Sequence, residues 1–264
     1  MTDDLAECNI RIDMIRKTSP FFEEYVEPHS ITRIWRCFTL DHFIDELEKR
    51  SLFFARASKV TDASDSEIPK FDLKMEDRVT EYLKNFYGKD YETATGEPEK
   101  LRERNRKKLR KNTILNCWRM DENDSMEMWL KYMPKSIAIS STIGNLKSSL
   151  IGEQFPITFR KVDYLDTVSE GIGRDWIFNA HFFTKKKEWS WEKEYRAVVA
   201  ENHEYPHQKP YQIGKIGLYV DTDFDKLISA IYIAPYANTT IKEVEIILRN
   251  HCLAKPVIKS NLQD

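Results

Sequence analysis

No stretch of the 264 residues approaches the ~18 uninterrupted apolar side chains that a membrane-spanning helix needs. The opening "MTDDLAECNIRIDM" is acidic and carries no apolar segment, so a secretory signal is not expected. Cysteine is rare: Cys8, Cys37, Cys117 and Cys252 are scattered, form no CxxC pair, and read as reduced thiols of a cytoplasmic protein. Glycine numbers only 8, and neither "IGEQF" nor "EGIGRD" has the spacing or the strand-loop-helix setting of a phosphate loop. Net charge is nearly absent as well. With 41 Lys and Arg against 43 Asp and Glu, the total of -2 argues neither for a nucleic-acid partner nor for a membrane. There is no internal repeat, low-complexity tract or Pro/Gly/Ser-rich linker. These absences predict a soluble, intracellular, globular protein.

Apolar residues make up 41% of the chain and aromatics 12%, enough for a sizeable core. "ITRIWRCF" (31–38) alternates apolar and polar positions and reads as a strand. Thr39 then caps a helix whose Leu40, Phe43, Ile44 and Leu47 recur at helical spacing. "SLFFARAS" is a second strand, and residues 72–112 read as two charged helices around a loop. Further strands are expected at "NTILNCWRM", "SIAISST", "PITFRKVDYL", "YRAVVA", "GKIGLYV", "ISAIYIAP" and "KPVIKS". Helices are expected at "SMEMWLKYM", "IGNLKSSLIG", "RDWIFNAHFF" and "TTIKEVEIILRNHCL". Strands and helices alternate without regular βαβ spacing. The expectation is therefore one α+β domain over 31–264, after an N-terminal extension at 1–30, with a mixed or split sheet and flanking helices.

One stretch poses a chemical question. In "KKKEWSWEKEYRAVVA" (185–200) a strand would place Glu192, Glu194 and Arg196 on one face and Trp191, Lys193 and Tyr195 on the other. Two carboxylates two residues apart repel unless water, a cation or a ligand intervenes. Read structurally, the segment is a solvated strand edge with a Glu–Arg surface pair worth about 0–1 kcal/mol.

The motif order "IWRCF…LEKRSLFFARASKVTDASDSE", "NCWRM…SMEMWLKY…IAISSTIGNLKSSL", "FRKVDYL", "FFTKKKEWSWEKEYRAV" and "IYIAP" resembles a bacterial family catalogued as a domain of unknown function (number 2971). Some members of that family lie near phage-defence genes. The resemblance covers roughly residues 31 to 260; one departure is the loop "VTDASDSE", which keeps Asp62 but not the rest of the family's Asn-Asp-Pro-type turn. Within it, the succession of Arg36, Ser140-Ser141-Thr142 and Glu192-x-Glu194 is similar to the arginine, Ser-Thr, Glu-x-Glu order of mono-ADP-ribosyltransferases. That likeness implies a small split sheet holding NAD as co-substrate. By the resemblance, Glu194 would stabilise the oxocarbenium-like transition state as the nicotinamide–ribose bond breaks, and Glu192 would orient or deprotonate the acceptor. Arg36 would clamp the pyrophosphate, Ser140 or Ser141 would fix the glutamate rotamer, and Trp129 or Tyr132 would stack on nicotinamide. The implied protein is a toxin or phage-defence effector with an unknown protein or nucleic-acid acceptor, an antitoxin or defence-system partner, and no membrane.

Each residue also has a structural reading. Arg36, between Trp35 and Cys37, suits a buried ion pair; Thr142 suits a helix N-cap; and Trp129 and Tyr132, three apart, suit core packing. A second functional class is nucleic-acid binding or cleavage through the basic helix "EKLRERNRKKLRKN" (99–112) and the acids Asp62, Asp65 and Glu67. That helix also reads as a solvated face, and the acids as Asx turns. A third class keeps the fold as a non-catalytic sensor or scaffold. A metal is not expected, because Pro206 breaks the helix that would align His203 with His207.

Overall fold

The computed structural model describes residues 26–60, 73–74, 81, 98–132, 136–151, 157–170, 180–200 and 214–262. They belong to two compact units: one drawn from Met1–Val26, Asp62–Arg102 and Asp163–Ser190, the other from Glu27–Thr61, Glu103–Val162 and Trp191–Asp264. Residues of the domain expected over 31–264 occur in both. No described helix is long and apolar enough to cross a membrane.

In chain order the strands are β1 (Arg33–Phe38), β2 (Ser51–Arg56), β3 (Thr113–Met120), β4 (Ile137–Thr142), β5 (Thr158–Lys161), β6 (Asp163–Leu165), β7 (Thr184–Lys186), β8 (Glu194–Ala200), β9 (Gly217–Asp221), β10 (Ala230–Ile233) and β11 (Val257–Lys259). The helices are α1 (Leu40–Lys49), α2 (Pro98–Lys111), α3 (Met126–Lys131), α4 (Ile143–Ser149), α5 (Phe224–Leu227) and α6 (Ile241–Asn250). The first unit contributes a parallel pair, β6 with β7. The second holds a nine-stranded mixed sheet, antiparallel except where β10 meets β11.

β3 organises that sheet. One of its edges pairs with β8 from Thr113↔Ala200 to Arg119↔Glu194. Its other edge is shared: β1 pairs at Ile34↔Met120 and Trp35↔Arg119, while β2 pairs at Leu115↔Ala55 and Ile114↔Arg56. The sheet is thus split between β1 and β2, opposite Asn116, Cys117 and Trp118. Side chains close the gap. Arg36 donates to both Glu46 oxygens at 2.7 and 2.8 Å and to the Phe53 carbonyl at 3.3 Å. Glu46 accepts from the Phe53 amide at 3.1 Å, Asn116 Nδ2 donates to the Phe53 carbonyl at 2.9 Å, and Trp118 Nε1 donates to Asn116 Oδ1 at 2.6 Å. The Phe53 amide and carbonyl thereby receive the partners that a continuous ladder would have supplied.

Alternation along the strands sorts residues to two faces. One face carries Ile34, Phe54, Ile114, Trp118, Ile139 and Tyr195, covered by α1, α4, α5 and α6 through Phe43, Leu47, Leu146, Leu227, Val244 and Leu248. The other carries Trp35, Cys37 and Ala138 beneath Met128 and Trp129 of α3. Helix starts follow their caps. Thr39, Ser125, Thr142 and Asp223 each accept from a first-turn amide, and Thr240 completes a capping box with Glu243. At its other end α1 stops at Arg50, in the left-handed region at φ 51.

Three sequence expectations change in detail. "PITFRKVDYL" breaks into β5 and β6, and the described end of "RDWIFNAHFF", Ala180–Phe183, is a 3-10 turn. Lys187–Glu192 also winds as a 3-10 helix, and Lys193 takes φ 48, so the strand begins at Glu194 rather than before Glu192.

Candidate active site

The strand-edge reading of Glu194 and Arg196 does not hold. β8 lies between β3 and β5, both paired to it, and the Arg196 side chain is fully buried. Its Nε donates to Glu194 at 2.5 Å, and the Glu194 side chain is only 9% exposed. Burial removes the solvent that makes such pairs weak at a surface. Losing either partner here would strand a charge in the interior.

Register fixes the surroundings. Ala230, Ser140, Trp35, Arg119 and Glu194 stand in one row across five strands, all on the α3 face. Arg119, directly beside Glu194, is buried and its donors are engaged. NH1 donates to the Trp191 carbonyl at 2.7 Å, and NH2 donates to Asp121 at 3.1 Å and to Glu127 at 3.2 Å. Burial would raise the Asp121 carboxyl, but hydrogen bonds from Lys193 and Arg119 outweigh it and hold the group below 3.8.

Tyr132 closes α3 over this row. Burial pushes its hydroxyl far above the ordinary 10.0, and the negative charges of Glu194 and Glu192 push it further, so it remains a neutral donor. Cys37 and Cys117 act on it in the same direction. Its ring centroid lies 6.5 Å from that of Trp191, over which Lys131 Nζ sits at 4.8 Å. Glu192 is buried beside Lys193, its placement set by the 3-10 turn and the left-handed residue instead of by strand alternation. The chemically loaded face therefore combines Glu192, Glu194, Arg196, Arg119, Tyr132 and Trp191.

The other candidates are placed differently. Arg36 stands opposite Ile139, and Ser141 opposite Ile34, on the face covered by α1 and α4. Arg36 is committed to Glu46, and its guanidinium lies 4.5 Å from the Phe38 ring centre. Ser141 donates to the Leu227 carbonyl at 2.5 Å. Neither reaches the face of Glu194. Ser140 shares that face, but three inter-strand steps of ~4.8 Å put it about 14 Å from Glu194, too far to fix the rotamer. Thr142 Oγ1 accepts from the Asn145 amide at 3.1 Å as the N-cap of α4. Trp129 is completely buried, its Nε1 donating to Asp124 at 3.1 Å, as core packing requires.

Arg119 and Trp191 were not singled out in the sequence. The signal for Arg119 was a charged residue two positions before Asp121 in an otherwise buried strand. Asp62, Asp65, Glu67, His203 and His207 lie outside the described residues. Among the described residues no three His, Cys, Asp or Glu side chains gather as a metal site. Compared with protein families, curated proteins and solved structures, the chain matches none.

Proposed function

We propose that this chain is an NAD-consuming, ADP-ribosyltransferase-like effector of the phage-defence-associated family of unknown function (number 2971), acting from the α3 face of the sheet. The observation that carries the reading is that the half-buried Tyr132, whose hydroxyl feels the negative charges of Glu194 and Glu192, lies next to the indole of Trp191. Breaking the nicotinamide–ribose bond builds positive charge on the sugar, and fixed carboxylates in a poorly solvated site stabilise it strongly. In this assignment Glu192 stabilises that charge, Glu194 is held in place by Arg196, and Tyr132 donates to the substrate or to Glu192. The pyrophosphate role expected of Arg36 is dropped, because Glu46 occupies its guanidinium. Acceptor and defence partner belong to the same proposal.

A second reading, a non-catalytic sensor or scaffold, is favoured by the Glu194–Arg196 and Arg36–Glu46 pairs, which satisfy these charges without any ligand. Nicotinamide release separates the two. Purified protein incubated with labelled NAD and cell extract should release nicotinamide, and Glu192→Gln should lower the rate by about 10²–10³. No release from folded wild-type protein would leave the scaffold reading standing.

A further inference from the structure

The helix α2 carries a second feature, independent of the α3 face. Over residues 103–111, Arg104, Arg106, Lys107, Lys108, Arg110 and Lys111 stand against the single acid Glu103, in a chain whose total is -2. At 100° per residue, Arg104, Lys107, Lys108 and Lys111 fall within one arc of about 100°, and all four are exposed. Arg106, Leu109 and Arg110 centre on the opposite side and are the less exposed positions. Arg110 there donates to the Ala57 carbonyl at 3.0 Å, which anchors the helix with the basic stripe outward.

A merely solvated helix face intersperses acids at i±4 with its bases. Here Arg104–Lys108 and Lys107–Lys111 are like-charged i,i+4 pairs, which destabilise a helix. Glu103 at the rim meets the partly exposed Arg106 at 3.8 Å and the exposed Lys107 at 3.3 Å, contacts of small worth. From Arg104 to Lys111 the stripe runs about 10 Å, the length of about three phosphates along one strand of a duplex.

We infer that this stripe is a docking surface for the phosphate backbone of nucleic acid, bound without base reading. Four exposed cations and no acid at the centre of the arc match a polyanion of regular charge spacing. Arg and Lys donate to phosphate oxygens whatever the sequence.

The test is fluorescence anisotropy of the full chain with two labelled 20-base-pair duplexes of unrelated sequence, from 50 to 200 mM KCl. Three neutralised phosphates predict a log–log salt slope of about -2.7, an affinity loss of about 40-fold over that range, and equal binding of both duplexes. The variant R104Q/K107Q/K108Q/K111Q should bind at least 10-fold more weakly at 50 mM with a slope near zero. Gln is close to Lys and Arg in helix propensity, and matched circular dichroism would establish that α2 persists. The control K242Q/R249Q, on α6, should bind as wild type. The inference is overturned if the wild type does not bind at 50 mM, if the quadruple variant binds equally well, or if vesicles rich in phosphatidylserine compete the protein off the duplex at equal charge.

Discussion

At the level of single residues, the sequence order Arg36, Ser141, Glu194 suggested one cleft, and the pleat places these residues on two faces. Arg36 is a structural residue. Its bidentate bond to Glu46, with Asn116 and Phe53 completing the network, replaces the ladder where β1 and β2 part. Glu46→Ala should therefore lower unfolding free energy by about 3–5 kcal/mol in urea titrations, since it leaves Arg36 uncompensated and the Phe53 amide without its acceptor. A loss below 1 kcal/mol would contradict this account. Tyr132 gives a pH signature. Its folded pKa is raised above the unfolded 10.0, so the stability it contributes is complete below pH 10 and is lost as pH rises above that. Tyr132→Phe should unfold less steeply than wild type above pH 10, and parallel curves would contradict the assignment.

Elements were easier to read than side-chain roles. Apolar periodicity, with caps at Thr39 and Thr142, located α1, α3, α4 and α6, and runs of strand-forming residues located β1 to β4 and β8 to within a few residues. Local patterns reveal which elements form, because caps and amphipathic spacing act within a few residues. They do not reveal which strands become neighbours. The burial of Arg196 depends on β5 pairing with β8, a contact spanning 34 to 40 positions of sequence, and nothing in "WEKEYR" announces it. Likewise, Lys193 at φ 48 interrupts the alternation that was expected to place Glu192. Thr142 was legible as a cap: Thr142→Ala should cost about 1 kcal/mol through the loss of its bond to the Asn145 amide, measured as a shift of the urea midpoint. An unchanged midpoint would argue that the cap contributes nothing.

For the whole molecule, the expected α+β class with a mixed sheet and flanking helices is what the second unit shows. Strand alternation divides the chain's charged chemistry between the two faces. Arg36 and Ser141 serve the helix-packed face, while Glu192, Glu194, Arg119 and Tyr132 gather under α3. The central claim is that function, the NAD reaction proposed above, resides on the second face alone. The measurement that tests it most directly is nicotinamide release by wild type, Glu192→Gln and Ser141→Ala at matched folded fraction. Ser141→Ala removes a buried hydrogen bond to Leu227, costing ~1–3 kcal/mol of stability, on the face opposite the glutamates. The account predicts that Ser141→Ala retains wild-type turnover while Glu192→Gln falls about 10²-fold or more. Equal losses in both variants, or full activity in Glu192→Gln, would contradict it.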